Sequence, residues 1–274
     1  MIVDAHFHCW RLARGDYGWL TPALGRIHRD VSIADWRAEA APCGVTGGVL
    51  VQAAPTEAET AFLLAEAAAE PTVLGVVGWV DLLAVDAPAR IARLAQQPKL
   101  KALRPMLHDL PDPTWILQPA LAPTLRAMVE HGLAFDAQVR PLHLAAIYQL
   151  CRRHPELRVV IDHAAKPDIA HAQWQAWADD LARIADDTQA ACKLSGLLTE
   201  AGPAPAPQAA RRWAEHVLAS FGAQRVLWGS DWPVLERAAS YGAWWEETQA
   251  TLADLQAADR AKVLGDTARR IYRL

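Results

Sequence analysis

Residues 2–8 read Ile2-Val3-Asp4-Ala5-His6-Phe7-His8: a short, mostly apolar run that leads straight into two histidines. Runs of Val, Ile, Leu and Ala that are nearly continuous, rather than alternating, mark strands buried on both faces, as in a parallel sheet. Outward from residue 8 the same kind of run returns at 48–51, 74–80, 102–107, 133–139, 158–161, 190–194 and 226–229. That makes eight expected strands.

The segments between them predict helices. Ser32-Ile33-Ala34-Asp35 and Thr56-Glu57-Ala58-Glu59 fit the capping box, in which a hydroxyl and an acid satisfy orphan N–H groups at a helix start. Residues 58–70, 123–131, 142–153, 172–186 and 209–221 continue in strong helix formers, and Pro71, Gly132, Pro155 and Gly222 stop four of them where a strand follows. A last pair, 241–255 and 259–272, closes the chain. Strand–helix alternation repeated eight times over about 250 residues predicts an α/β fold: a (β/α)8 TIM barrel, residues 1–274 as a single domain. The Ala/Pro-rich patch 201–207 reads as a loop after strand seven. No G-x-G-x-x-G or G-x-x-x-x-G-K fingerprint supports the competing doubly wound open sheet.

Composition narrows the function. The chain has 274 residues, 52% of them hydrophobic and 21% charged, enough apolar material for a sizeable core. Lys and Arg total 27 against 31 acids, a formal charge of -4, which weighs against nucleic acid or an anionic membrane as partner. Cys9, Cys43, Cys151 and Cys192 lie far apart with no C-x-x-C pair, which excludes a zinc ribbon and weighs against a disulfide scaffold. No secretory leader or bilayer-length apolar stretch is recognisable, so a cytoplasmic location is expected.

In such barrels the chemistry sits at the carboxyl ends of the strands. His6 and His8, two apart on a strand, share one face, where they can hold a divalent metal, polarise a carbonyl or simply hydrogen-bond in a turn. Strand two offers Gln52, strand four Arg104 and His108, strand five Asp136, Gln138 and Arg140. Strand six brings Asp162, His163 and Lys166, and strand seven brings Lys193 and Ser195. Asp231, in Gly229-Ser230-Asp231-Trp232-Pro233, follows a buried strand, where a carboxylate is costly unless partnered; histidines of strands one and six are its natural partners, and capping the next helix is its plainer role.

Here the residues carry a resemblance. His6-x-His8, His163 and Asp231, with Tyr17-Gly18-Trp19-Leu20, Leu103-Arg104-Pro105, Val160-Ile161-Asp162-His163, Lys166-Pro167, Lys193-Leu194-Ser195-Gly196 and Gly229-Ser230-Asp231-Trp232-Pro233, resemble the amidohydrolase superfamily. Within it they are similar to the amidohydrolase-related branch of sugar-lactone and pyrone-dicarboxylate lactonases, and most of all to its fuconolactonase-like group. The resemblance runs the length of the chain and implies a (β/α)8 hydrolase that opens sugar-acid lactones. Arg104 stands where binuclear members place a bridging lysine or carboxylate, and strand five lacks a ligand histidine. The expected cofactor is therefore none, or one divalent metal such as zinc held by His6, His8, His163 and Asp231.

On this reading Asp231 takes the proton of an attacking water and passes it to the departing alkoxide. His6, His8 and His163 polarise the carbonyl, and Arg104 steadies the oxyanion or a carboxylate. Tyr17, Trp19, Gln52, His108, Gln138, Lys166, Lys193 and Trp232 are the expected substrate contacts; Tyr17 and Trp19 could equally pack their loop. The expected partner is a small sugar-acid lactone, with no nucleic acid and no membrane. Trp244 and Trp245 fit a homodimer face or core packing equally. The rivals are a metal-dependent decarboxylase of the same branch and a non-catalytic binding barrel.

Overall fold

In the computed structural model, which describes residues 1–274 apart from the side chain of Pro207, all eight expected strands form. They are β1 (Ile2–Phe7), β2 (Val45–Val51), β3 (Val73–Gly78), β4 (Leu100–Leu103), β5 (Ala134–Ala137), β6 (Val159–Ile161), β7 (Ala191–Leu194) and β8 (Val226–Trp228). They pair in chain order, every pair parallel. The ring closes through backbone just beyond β8: the Asp231 N–H donates to the His6 carbonyl and the His8 N–H to the Trp232 carbonyl, both at 2.8 Å. The segment that completes the barrel is thus the one that carries Asp231.

The connecting helices are α1 (Ile33–Ala40), α2 (Glu57–Ala68), α3 (Ala87–Leu94), α4 (Ala122–Glu130), α5 (Leu144–Arg153), α6 (Gln175–Asp187), α7 (Leu197–Glu200), α8 (Arg211–Phe221), α9 (Tyr241–Thr251), α10 (Ala257–Ala261) and α11 (Thr267–Tyr272). Two departures from expectation have clear causes. The last expected helix, 259–272, is interrupted by a π-helical turn at Lys262–Asp266, where Gly265 packs so close to the Met1 carbonyl that a Cβ would lie 2.3 Å from its oxygen. The capping box holds at Ser32 and Asp35, but only half of it forms at Thr56. The Thr56 hydroxyl accepts from Glu59 N–H at 3.0 Å, while the Glu59 carboxylate turns away to accept from the Ala53 and Ala54 N–H groups. Helix α3 was not anticipated, and Pro207 lies at the end of the 201–207 patch, its side chain outside the described residues.

The interior of the barrel is narrow and built from small side chains: Val3, Ala5, Val51, Ala102, Ala134 and Ala191 are all fully or nearly fully buried there. Ala268, Ile271 and Tyr272 of α11 close it from the end at which β1 starts. A larger apolar layer lies between strands and helices. Trp244 belongs to it, 2% exposed with its indole N–H on the Gly229 carbonyl at 2.9 Å, and Trp245 packs edge-on against Trp228, so Trp244 packs the core rather than offering a dimer face. Among the described residues no helix is long and apolar enough to cross a membrane.

One irregularity decides how β1 presents its histidines. Asp4 pairs with Gly48 but Phe7 pairs with Leu50, so three steps on β1 match two on β2: a bulge. Val3 and Ala5 face the interior, and the bulge lets His6 face it too, while Phe7 turns outward to stack on Trp36 with ring centroids 4.0 Å apart. The His6 N–H finds its partner in Asp4 Oδ1 at 3.1 Å. Asp4 also accepts from Trp36 Nε1, Ser230 N, Ser230 Oγ and the Tyr241 hydroxyl, tying β1, α1, α9 and the barrel seam together.

Candidate active site

At the carboxyl ends of the strands opens a cavity of about 330 Å³. Its wall contains nine residues expected from the sequence: His8, Trp19, Arg104, His108, Gln138, Arg140, His163, Lys166 and Asp231. Three groups converge at its floor. His8 Nε2 lies 3.3 Å from Asp231 Oδ1, and His163 Nε2 lies 3.7 Å from the same oxygen. His6, below them and fully buried, brings its Nε2 to 3.2 Å from His8 Nε2 and 3.7 Å from Asp231 Oδ1.

Each of these side chains is aimed by the backbone around it. His8 Nδ1 donates to the Val51 carbonyl at 2.7 Å, which leaves its Nε2 as a lone pair toward Asp231. His163 opens a run of four residues with positive φ, His163 to Lys166 (52°, 50°, 61° and 50°), in effect one left-handed helical turn closed by the Lys166 N–H on the His163 carbonyl at 2.8 Å. L-residues take that conformation at a cost of about 1–2 kcal/mol each, and here it points both His163 and Lys166 at the cavity. Ser195 Oγ holds His163 Nδ1 at 2.8 Å. Gly196 must be glycine: its φ is +66° and a Cβ would lie 2.7 Å from His163 Nδ1. Asp231 also has positive φ, 59°.

Burial pushes the Asp231 carboxyl up, but His163, the His8 hydrogen bond and the charge of Lys166 together outweigh it and hold it at about 2. Burial, reinforced by Lys193, drives His6 well below the ordinary imidazole value; burial does the same to His163 against the pull of Asp231. The floor thus sets a carboxylate beside two neutral imidazoles, His6 and His163. The lone pair of His8 faces a carboxylate oxygen at hydrogen-bond distance, and Asp231 Oδ2 is buried with no partner among the described residues. A proton or a cation between two such atoms holds them together. The spacings of 3.2–3.7 Å match the edge of about 3.3 Å expected between ligand atoms of a tetrahedral zinc site. One donor atom each from His6, His163 and Asp231 falls within 4.8 Å of the others. The donor set fits one divalent ion.

Four expected substrate contacts are not on the cavity wall. Tyr17 is buried inside the 9–31 loop, whose neck is zipped by paired backbone bonds between Trp10 and Val31. Gln52 is fully buried and braces Arg104 instead, its Nε2 donating to the Arg104 carbonyl at 2.8 Å. Trp232 is 1% exposed and donates to Glu236. Lys193 lies beneath His6 rather than at the rim, because Lys193 shares the inward face of β7 with Ala191, one residue short of the strand end. Trp19 does reach the wall, held by its indole N–H on the Ala53 carbonyl at 2.7 Å. The wall also contains Met106, Thr199, Val234 and Arg237, none of which was expected. Arg237 sits six residues past Asp231, and that proximity was the one available signal for it.

The amidohydrolase family, so described, matches residues 3–274. The chain is 46% identical over 277 residues to an L-fucono-1,5-lactonase of Burkholderia ambifaria, covering 99% of this chain and 95% of that protein. It is 32% identical to an L-fucono-1,5-lactonase of Burkholderia multivorans, over 99% of this chain and 96% of that protein. A crystal structure of an amidohydrolase from Burkholderia multivorans with bound zinc superposes with a TM-score of 0.93 at 32% identity, covering 100% of this chain and 99% of the other.

Proposed function

The chain belongs to the amidohydrolase family, and from that we infer that it is a lactonase that opens the ring of a sugar-acid lactone by hydrolysis, the activity named for its 46% identical relative. The observation that carries the chemistry is the buried Asp231 carboxylate, ringed by imidazoles at the floor of a cavity of about 330 Å³.

In our proposal a water molecule held at Asp231 attacks the lactone carbonyl carbon. Asp231 accepts the proton as the new C–O bond forms and returns it to the ring oxygen as the ring C–O bond breaks, giving a hydroxy acid. Arg104 and Lys166 present positive charge where the carbonyl oxygen becomes an oxyanion. Trp19 covers the apolar face of the ring, and Gln138 and His108 meet its hydroxyls. The residues that would hold a divalent ion such as zinc are His8, His163 and Asp231, with His6 packed directly beneath them. When bound, such an ion supplies Lewis acidity to the carbonyl and lowers the pKa of water. The setting we propose is cytoplasmic, and the substrate a small ring rather than nucleic acid or membrane.

The test is a panel of aldono-1,4- and 1,5-lactones followed by acid release, with Asp231→Asn as the control. Turnover of at least one lactone, lost in the variant, supports the reading. Absence of turnover across the panel, or CO2 release from an aromatic acid instead, overturns it.

A further inference from the structure

Below the cavity a line of buried polar groups crosses the barrel interior without reaching the cavity wall. The Tyr272 hydroxyl, on the helix that plugs the barrel, lies 2.9 and 2.8 Å from the two carboxylate oxygens of Asp136 on β5. Lys193 Nζ donates to Asp136 Oδ2 at 2.6 Å. The same ammonium lies 3.1 Å from His6 Nδ1 and 3.0 Å from Asp162 Oδ1. Asp136, Asp162 and Lys193 are 0% exposed and Tyr272 is 1% exposed.

Such a cluster is expensive to bury, and well-packed apolar side chains of similar volume often do as well or better for stability. The apolar interior around it is mostly Val and Ala, with Leu227 and Ile271. Stability alone is therefore a poor reason for it, whereas its geometry supplies a specific one. An ammonium has N–H donors and no acceptor, and Lys193 hydrogen-bonds Asp136 Oδ2 and His6 Nδ1 while pairing its charge with Asp162 Oδ1. His6 Nδ1 thus accepts, so the neutral ring carries its proton on Nε2. That N–H points at His8 Nε2, 3.2 Å away, whose lone pair is free because the other nitrogen is spent on Val51. Donor meets acceptor at each step from Tyr272 to His8, with Arg104 Nη1, 3.5 Å from His6 Nε2, directing its hydrogen to Asp162 Oδ2 at 3.4 Å.

We propose that Lys193, held in place by Asp136 and Tyr272, is a positioning residue that fixes the ring orientation and tautomer of His6 and, through it, the His8–Asp231 pair at the cavity floor. The consequence for rate rests on the lactonase reading above; the assignment of the tautomer does not. Lys193 touches no substrate, so its loss acts on the geometry of the reacting groups and not on substrate binding.

The experiment compares Lys193→Met, Tyr272→Phe and the double variant. Lactone hydrolysis is expected to lose about 100-fold in kcat in Lys193→Met and about fivefold in Tyr272→Phe, with KM within about twofold in both. The double variant should be no slower than Lys193→Met, because the tyrosine acts through the lysine. Tyr272→Phe removes a single hydroxyl and keeps the plug, so it remains informative if Lys193→Met fails to fold. In parallel, 15N imidazole NMR of the purified enzyme, with His6 assigned by its loss in His6→Asn, should show Nε2 protonated in the wild type and a changed tautomer mixture in Tyr272→Phe or Lys193→Met. Additive losses in the double variant, a rise in KM in place of the fall in kcat, or a wild-type His6 protonated at Nδ1 overturns the proposal. If no lactone is turned over, the lactonase reading falls while the NMR result still decides the role of Lys193.

Discussion

His8 Nε2 and Asp231 Oδ1 stand 3.3 Å apart, although His8 has already given its Nδ1 hydrogen to Val51. A ring nitrogen and a carboxylate so placed at the cavity floor are set to act together on what enters there. Asp231 is held at about 2 and is ionised throughout the neutral range. Replacing it with Asn keeps the shape and removes the base. We expect kcat to fall at least about 100-fold with the fold kept and the melting temperature lowered, since the partners that hold the carboxyl below its ordinary value stabilise its charged form in the folded protein; lactone hydrolysis and differential scanning fluorimetry check both. Near-normal turnover would sink the role of Asp231.

The same floor predicts metal binding. One equivalent of zinc should bind, measured by competition with a chromophoric chelator, and His8→Ala should abolish it. Ser195→Ala is the subtler variant: the hydroxyl does not face the ion but holds His163 Nδ1 at 2.8 Å. Loss of such an outer partner weakens metal binding by about 10–100-fold, and unchanged affinity would show that His163 is not a ligand.

The eight strands and the rim positions of His8, His163 and Asp231 were legible because parallel strands in a barrel are continuous apolar runs and strand ends carry the chemistry. What escaped were departures from regular geometry. The bulge that lets both Ala5 and His6 face inward leaves no glycine in β1 to betray it. The left-handed turn at His163 runs through Ala164 and Ala165, residues that ordinarily favour a right-handed helix. Lys193 was misplaced for a different reason: a lysine near a strand end reads as a rim residue, yet period two along β7 puts it on the interior face with Ala191. Glu59 looked like half of a capping box, and only the folded loop shows that Ala53 and Ala54 claim its carboxylate.

Gly196→Ala probes how tightly His163 must be held. The substitution forces an L-residue to φ +66° and places a methyl 2.7 Å from His163 Nδ1. The backbone strain costs about 1–2 kcal/mol, and displacement of the imidazole by a fraction of an ångström should lower kcat roughly 10- to 100-fold. Urea unfolding and steady-state kinetics separate the two effects; a stability loss with kcat intact would show that His163 tolerates movement.

Trp19 presents an indole face at the cavity and hangs from the Ala53 carbonyl. It reaches no ionisable group of the floor, so its contribution is to binding in ground and transition states alike. Trp19→Ala should raise KM about 5- to 10-fold with kcat within about twofold. A large fall in kcat with KM unchanged would instead make the 9–31 loop part of the reacting geometry.

Glu59 links the same loop system to pH. Burial pushes its carboxyl up to about 7, even though the Ala53 and Ala54 N–H groups pull the other way. In the unfolded chain the group titrates near 4.5. Between those two values the folded protein binds the extra proton, so by linkage stability falls as pH rises through that window and levels off above about 7. The full span amounts to about 3 kcal/mol. Glu59→Gln removes the titration, so the stability of the wild type relative to the variant, from urea unfolding between pH 4.5 and 8, should decline by about that amount as pH rises. A pH-independent difference would mean that Glu59 is ionised in the folded protein throughout, with its charge carried by the two backbone donors alone.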